Sequence, residues 1–504
     1  MKQLIQPVAV LMLAVVWAVS GSSMVRAQVS AQSLKSISIP DKVTTSIGPL
    51  DFFDGVPTDA TIQKAYDNLD RARALEVYLG NLGAVSEYSV LAGLAEQGAN
   101  APNKIAVFEK LMDSQALVVT ANTSTMYAYT GTDLANDGPT VIEIPAGMLG
   151  FLDDAWQRFV GNIGVTGPDK GKGGKYLVLP PGYNAKVPDG YFLLKPRTNK
   201  NFVFLRGSIK NGLEPAMQNL ASGLRVYPLK SADHPAPTQL IKLSGKAFNT
   251  VFPNDFSYYE YLNSIIQEEP IDAIGSDQRG TIAAIGIVKG QPFKPDERMK
   301  KLLIEGATLG NATARAITYE PRIRGVYIYP DSHSAWTLAF ANKNTAFESD
   351  GAMQLDAAVL YYFNAGGVTP AMALTIPGAG SDYAVAYVDA NKKPFDGAKT
   401  YRLHLPPNVP VNDFWAVTIY DTQTRSMLQT SQRFPTAGSQ SEGIKKNKDG
   451  SYDVYFAPKA PQGKEGNWLA TVPGKSWFAM LRMYGPLQPW IDKTWRPSEI
   501  ELVK

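Results

Sequence analysis

The chain contains no cysteine and only three histidines among its 504 residues. Without cysteine there is no disulfide bond, no cysteine nucleophile and no lipid anchor on a cysteine thiol. The histidines, His234, His333 and His404, lie far apart, so the short spacing of a helical zinc motif is missing. The sequence therefore predicts a fold that is stabilised by a hydrophobic core, and it predicts neither a metal site nor a cofactor.

The chain also has little net charge once its first residues are set aside. Removing residues 1–27 takes Lys2 and Arg26 from the 49 basic residues, which leaves 47 against 46 acidic ones. Nucleic-acid binding needs clustered positive charge, so this near-balance argues against a DNA or RNA partner. After residue 27 no apolar run reaches the roughly 20 residues that span a bilayer, and we expect no transmembrane anchor in the mature chain.

The first residues have the pattern of an export signal. Lys2 gives a positive start, and residues 8–19 form an apolar run of about a dozen residues, the length of a signal-peptide core. Residues 25–27 (Val-Arg-Ala) then match the positions that a signal peptidase reads. We predict cleavage after Ala27 and a periplasmic or secreted mature protein; an uncleaved N-terminal anchor is the alternative.

The rest of the chain alternates between helical and strand-rich stretches. Residues 28–55 are polar and are expected to be an irregular lead-in, and an N-terminal domain over residues 56–250 begins with helix and continues with short β-branched and aromatic runs. A helical connecting region with strands is expected over residues 251–379, and a C-terminal sandwich over 380–504. We therefore predict an α+β fold dominated by β structure, with two antiparallel β-sandwich-like domains joined by a helical region.

Several motifs resemble a known pair of domains. Resemblance to the domain of unknown function 1254 is carried by residues 122–127 (NTSTMY), 138–145 (GPTVIEIP) and 167–176 (GPDKGKGGKY). Resemblance to the domain of unknown function 1214 is carried by residues 401–407 (YRLHLPP), 414–415 (FW), 420–421 (YD), 484–486 (YGP) and 495–500 (WRPSEI). The resemblance implies β-rich domains with a helical portion in an exported bacterial protein, and it brings no established reaction. Residues 77–83 (VYLGNLG) depart from the Tyr-Gly-Tyr-Pro-like stretch of many relatives, so no site is drawn from them.

Motifs that would indicate a particular reaction are missing. In the glycine-rich stretch 167–176, Gly174-Lys175 is followed by Tyr176 instead of serine or threonine, which excludes a P-loop. The sequence has no Gly-x-Ser-x-Gly motif of a hydrolase elbow. A catalytic triad can be assembled from distant residues, so a hydrolase stays open as an alternative.

His404 is the histidine most suited to catalysis. In an extended strand Arg402 and His404 share one face, while apolar residues occupy the other. This face is interpreted either as a solvated strand surface or as the wall of a polar pocket in which His404 acts as an acid–base group beside Arg402. Arg425 and Arg482 are candidates to join that wall, and Arg425 is also a candidate ligand-binding residue.

A second candidate site lies at the polar start of a strand. Asn122, Thr125 and Tyr127 place amide and hydroxyl groups beside aromatic rings, a combination that suits a neutral polar ligand such as a sugar. Tyr129 and Arg206 are expected near the same place. The alternative is that these hydroxyl groups satisfy turns and strand ends.

Binding is the function that these patterns favour, because polar and aromatic residues are present where catalytic motifs are missing. We predict an exported protein that binds a polar small molecule or saccharide. A periplasmic or secreted hydrolase of an ester or glycoside is one alternative, and an envelope interaction protein is another.

Overall fold

The structure is a computed structural model that describes residues 29–503. The predicted signal peptide and its cleavage site lie outside these residues. Across the described part of the chain, the helices include none that is long and apolar enough to cross a membrane. The chain forms two compact units, of which the first ends at Asn68 and the second begins at Leu69.

The first unit contains regular structure where the sequence suggested an irregular lead-in. Its elements are α1 (Ala31–Ile37), β1 (Lys42–Thr45), β2 (Gly48–Phe53), β3 (Val56–Pro57) and the beginning of α2 (Asp59–Gly80). The three strands form one antiparallel sheet in the order β1-β2-β3. Because these strands are short and largely exposed, they carry little of the apolar alternation by which a strand is recognised in sequence.

The second unit begins with the remainder of α2 and a first β-sandwich. The elements that follow α2 are α3 (Leu82–Glu96), β4 (Lys104–Val107), β5 (Ala116–Leu117), β6 (Met126–Asp133), α4 (Leu134–Asp137), β7 (Thr140–Ile144), β8 (Met148–Asp154), β9 (Phe159–Gly164), β10 (Gly174–Val178), β11 (Phe192–Leu194), β12 (Lys200–Gly207), α5 (Leu213–Gly223), β13 (Arg225–Pro228), β14 (Gln239–Lys242) and β15 (Phe248–Asn249). A six-stranded sheet, β14-β4-β6-β12-β8-β9, and a four-stranded sheet, β11-β10-β7-β13, share one apolar core with α5. Most strand pairs are antiparallel, but β14 and β11 pair in parallel with their neighbours.

A helical region follows the first sandwich, as the sequence predicts. Its elements are α6 (Ser257–Glu268), α7 (Ser276–Ala283), α8 (Glu297–Tyr319), the short strands β16 (Glu348–Ser349) and β17 (Ala352–Met353), α9 (Leu355–Asn364) and α10 (Pro370–Ala373). The Asp296 side chain caps α8 by accepting a hydrogen bond of 2.7 Å from the Met299 N–H. The apolar residues of α8 pack with those of α2, α3 and α6 in a core of their own.

The C-terminal part is a second sandwich. Its elements are β18 (Ser381–Ala386), β19 (Tyr401–Leu405), β20 (Val411–Asp421), β21 (Thr436–Gly438), β22 (Tyr452–Ala457), β23 (Trp468–Ala470), β24 (Trp477–Pro486), α11 (Gln488–Ile491) and β25 (Glu501–Leu502). The sheets β18-β24-β20-β21 and β23-β22-β19-β25 enclose the second sandwich core. The fold is α+β as predicted, and helix and strand contribute about equally to it.

A further apolar layer fills the space between the two sandwiches. Alternate residues of β6 point into the first sandwich core, as Met126 does, or into this layer, as Tyr127 does. On β24, Leu481 points into the second sandwich core and Met480 into the layer. These strands are therefore buried on both faces, and all ten positions of β24 are buried. We call this layer the junction layer.

Candidate binding site

A cavity of about 90 Å³ lies within the junction layer, which is room for about three water molecules. Both sandwiches and the helices between them line it. The first sandwich contributes Tyr127, Tyr129, Phe202, Phe204, Arg206 and the loop 118–122; the second contributes Tyr383, Met480 and Arg482; the remaining lining includes Val90, Gln157, Thr250, Phe340, Tyr361, Gly366, Gly367 and Met372. We call this space the junction cavity.

The first sandwich presents aromatic rings followed by a cation. Phe202, Phe204 and Arg206 alternate along β12 and so face the same side of the sheet. On the neighbouring strand β6, Tyr129 lies opposite Phe204, and Tyr127 lies opposite Arg206. The aromatic part of the wall therefore ends at the pair formed by Arg206 and Tyr127.

In the second sandwich, too, an apolar side chain is followed along the strand by a cation. Met480 and Arg482 face the cavity from β24, and Tyr383 on β18 lies opposite Arg482. Arg482 is 3% exposed, and its Nη2 donates hydrogen bonds to the carbonyl oxygens of Thr120 and Ala121, at 2.6 and 3.4 Å. The Tyr383 ring centre lies 6.0 Å from the Arg482 guanidinium carbon, within range of a cation–π contact.

Tyrosines surround this buried cation. Desolvation lowers the pKa of Arg482, but the surrounding tyrosines, led by Tyr420 and Tyr484, outweigh that effect and raise the pKa above its usual range. Burial raises the pKa of Tyr127, and the positive charges of Arg206 and Arg482 partly offset this rise. Neither arginine forms an ion pair with a carboxylate among residues 29–503.

Two buried donors of the cavity lining lack an acceptor: Arg206 Nε and Arg482 Nη1 have no hydrogen-bond partner in the described part of the chain. The Tyr484 hydroxyl, two residues beyond Arg482 on β24 but outside the lining, has none there either. An unsatisfied buried donor costs about 1–3 kcal/mol, and more where it carries charge. A bound molecule with acceptor oxygens would remove that cost.

Asn122 and Thr125 organise the loop that leads into the site. The Asn122 Nδ2 donates to the Tyr127 hydroxyl, and its Oδ1 accepts from the Ser124 N–H at 2.9 Å and from Thr125 Oγ1 at 3.2 Å. Asn122 and Tyr127 both line the cavity, whereas Thr125 acts on it through Asn122. The structure therefore brings together four of the five residues proposed for ligand binding: Asn122, Thr125, Tyr127 and Arg206.

Arg425, the fifth residue, does not line the junction cavity. Its Nε donates to the Phe363 carbonyl oxygen at 3.0 Å, and its guanidinium carbon lies 4.2 Å from the centre of the Phe363 ring. Burial, with a smaller contribution from Arg315, lowers the pKa of Arg425 to about 10. The Arg425 carbonyl oxygen accepts a hydrogen bond of 2.8 Å from the Thr120 N–H, but the Arg425 side chain reaches neither Asn122 nor the strand face of His404.

His404 and Arg402 share one face of β19, as the strand pattern predicts, but each is paired with an acid. His404 Nδ1 lies 2.8 Å from Asp453 Oδ1, and Arg402 Nη2 lies 3.6 Å from Glu501 Oε2. In the described residues no hydroxyl group forms a hydrogen bond with the imidazole ring. The nearby Ser498 hydroxyl accepts a hydrogen bond from the His404 backbone N–H instead. The face is half-exposed, and neither residue lines the junction cavity.

Two buried acids, Glu87 and Asp153, lie behind the cavity wall. Gln157, which lines the cavity, donates through Nε2 to Glu87 Oε2 at 3.3 Å. Burial, followed by the charge of Asp153, raises the pKa of Glu87 well above its usual range, and burial likewise raises that of Asp153. Across residues 29–503, Glu87 Oε1, Asp153 Oδ1 and Gln157 Oε1 are all without a hydrogen-bond partner.

Family models match both halves of the cavity wall. The model of the proteins of unknown function DUF1254 matches residues 102–228, and that of the proteins of unknown function DUF1214 matches residues 380–488. The chain thus pairs a DUF1254 match with a DUF1214 match that follows it. In this DUF1254–DUF1214 protein, Tyr127 and Arg206 come from the first matched region and Tyr383 and Arg482 from the second. The junction cavity therefore lies between the two matched regions.

A solved structure supports the fold of the DUF1254–DUF1214 protein. The VPA0106 protein from Vibrio parahaemolyticus is 17% identical, with a TM-score of 0.52 over 86% of this chain and 100% of its own. An uncharacterised protein from Burkholderia cenocepacia is 14% identical, with a TM-score of 0.39 over 89% of this chain and 91% of its own. No curated protein matches the chain. At these identities the likeness to VPA0106 concerns the fold alone.

Proposed function

We propose that the DUF1254–DUF1214 protein binds a small organic molecule with polar groups in the junction cavity. The observation that supports this proposal is the pair of unpaired arginine donors in a cavity that is lined mainly by apolar and aromatic residues. Concave sites lined by apolar side chains, with a few convergent polar groups, are typical of small-molecule binding. The position between the two domains adds to the argument, because ligand sites occur preferentially at domain interfaces.

The size of the cavity limits which ligands can bind in it. A cavity of about 90 Å³ is smaller than the roughly 150 Å³ cavity that holds one benzene molecule, so it is too small for a hexose, which has twelve non-hydrogen atoms. We therefore favour a smaller molecule over the saccharide that the sequence suggested. The hydrolase alternative loses its main support, because His404 and Arg402 face acidic partners on a half-exposed strand away from the cavity.

A large side chain that fills the cavity should abolish ligand binding, whereas a small side chain at the same position should leave ligand binding unchanged. A Cβ at Gly366 would lie 3.4 Å from Val119 Cγ2 and 3.6 Å from Gln157 Nε2, both ordinary contacts with the lining. Gly366→Ala should therefore bind as the unmodified protein does, whereas Gly366→Leu should occupy the cavity. The measurement is a thermal-shift screen of small acids, amides and alcohols, since a ligand of the native state raises its melting temperature.

The screen can also contradict the proposal. A compound that stabilises Gly366→Leu as strongly as Gly366→Ala binds outside the junction cavity. If no compound stabilises the unmodified protein, small-molecule binding fails and an interaction with another envelope component becomes the better explanation. His404→Ala serves as a control outside the cavity, and we expect it to retain every hit.

We also propose that the protein is exported and loses its first 27 residues. The support is the sequence alone: a positive start, an apolar run and small residues before position 28. N-terminal sequencing of the protein purified from the periplasm or the medium should begin at Gln28. A chain that retains Met1 and stays with the membrane after carbonate extraction would contradict this proposal.

A further inference from the structure

The two arginines of the junction cavity lie at the same end of it. Arg482 binds the carbonyl oxygens of Thr120 and Ala121, and the next residue, Asn122, donates to the Tyr127 hydroxyl. Tyr127 lies opposite Arg206 across the β6–β12 pair. Burial raises the pKa of Tyr127, and both arginines lie close enough for their charges to offset part of that rise, so the three side chains belong to one part of the lining.

Most of the remaining lining is apolar or aromatic, and Gln157 and Thr250 are polar exceptions. Phe202, Phe204 and Tyr129 approach from the first sandwich, and Met480 approaches from the second. The Tyr129 and Phe204 ring centres are 5.2 Å apart, and those of Tyr129 and Phe202 are 5.3 Å apart, so these rings form one continuous surface. A ligand that fills the cavity must therefore combine a polar end with an apolar body.

The charge of the polar end is not balanced by the protein. Burying an ionised group without a counter-charge is costly, and buried arginines are usually paired with carboxylates. Carbonyl oxygens accept hydrogen bonds from part of the Arg482 guanidinium group, and tyrosine rings contact it. Arg206 Nε and Arg482 Nη1, however, have no hydrogen-bond acceptor within residues 29–503. A carboxylate matches guanidinium groups in both charge and hydrogen-bond geometry.

We infer that the ligand of the junction cavity is a small organic carboxylate, held by Arg206 and Arg482 at its charged end and by the aromatic rings along its apolar body. This inference rests on the proposed function, and it goes beyond that function by assigning the class of ligand. The sequence favoured a neutral ligand because it did not show that a second arginine, from the other sandwich, meets Arg206.

The test compares acids with amides of the same shape. Acetate, propionate and butyrate, which are small enough for a cavity of about 90 Å³, would be titrated calorimetrically into the full protein at pH 7.5, each beside its neutral amide. Hydrogen bonds to charged groups are stronger than those between neutral groups, so the tightest acid should bind at least about tenfold more strongly than its amide. The cation propylammonium should not bind.

Variants of Arg206 provide the matched controls, because this residue is only half-buried and replacing it should leave the fold intact. Arg206→Gln should weaken the acid at least about tenfold and leave the amide unchanged. Arg206→Lys should retain part of the preference, since it keeps the charge and loses the forked geometry. Arg482→Lys should behave in the same way, and circular dichroism would verify that each variant is folded.

The outcomes separate the inference from the proposed function. Suppose that an amide binds as tightly as its acid and that Gly366→Leu abolishes its binding. This result would overturn the carboxylate assignment and leave small-molecule binding in the cavity in place. A preference for acids that survives Arg206→Gln would overturn the assigned role of Arg206. Failure of every acid and amide to bind at millimolar concentration would overturn both the inference and the proposed function.

Discussion

Replacing Trp477 with alanine should lower the free energy of unfolding by about 3–5 kcal/mol, the usual range for a fully buried tryptophan. Trp477 is completely buried in the core of the second sandwich. Its ring is stacked on those of Phe395 and Phe456, with ring centres 4.1 and 4.7 Å apart, and it meets the edge of Tyr401 at 5.6 Å. Removing the indole leaves all three rings facing a cavity, and the urea midpoint would measure the loss.

Trp477→Phe is the matched control. Trp477 Nε1 has no hydrogen-bond partner among the described residues, so phenylalanine removes no hydrogen bond and keeps one aromatic ring in the stack. We expect it to cost about 1–2 kcal/mol through the smaller volume alone. If alanine costs no more than phenylalanine, this aromatic stack does not hold the second sandwich together.

The elements that the sequence predicts well are those with an unambiguous local pattern. The start of α8 follows from a capping aspartate before a helical stripe, and β19 follows from strict alternation. The junction layer is harder to predict, because β24 is buried on both faces and shows no alternation. A single charged residue, Arg482, in that apolar strand is the one local sign that the strand faces something polar.

The part of the candidate site that lies on one pair of neighbouring strands could be predicted from the sequence. Tyr127 and Arg206 come from neighbouring strands of the same sheet, and the expectation that they lie together agrees with the register. Arg482 and Tyr383 reach the site from the other sandwich, and Gln157 reaches it from a loop, so their positions depend on tertiary packing. For the same reason the sequence could not show that Arg425 turns toward Phe363.

Replacing Glu87 with glutamine should stabilise the protein at pH 8 by about 1–3 kcal/mol, the cost of an unsatisfied buried polar group. The cluster of Glu87, Asp153 and Gln157 contains more acceptors than donors: one oxygen of each side chain lacks a partner across residues 29–503. The glutamine amide would supply the missing donors and remove one buried charge. It can also keep the contact with Gln157, because its oxygen accepts as the Glu87 carboxylate does.

The gain from Glu87→Gln should depend on pH in one direction. Burial and the Asp153 charge raise the pKa of Glu87 well above the usual 4.5, so the native state holds the proton more tightly than the unfolded state. The stability that this proton brings is fully present below about pH 4.5 and is lost as the pH rises through the folded-state pKa. Urea midpoints between pH 5 and pH 8 should therefore fall more steeply for the unmodified protein than for the variant.

Glu96→Gln is the matched control for this effect, because Glu96 is exposed on the same helix, α3. We expect it to change the stability by no more than about 0.5 kcal/mol at either pH. If the plots of urea midpoint against pH are parallel for Glu87→Gln and the unmodified protein, Glu87 stays ionised in the folded state. Its charge would then be balanced by a group outside the cluster. Curves that diverge as the pH rises, with the unmodified protein falling faster, would instead place a protonated carboxyl group one hydrogen bond behind the cavity wall, since Gln157 lines the cavity and contacts Glu87.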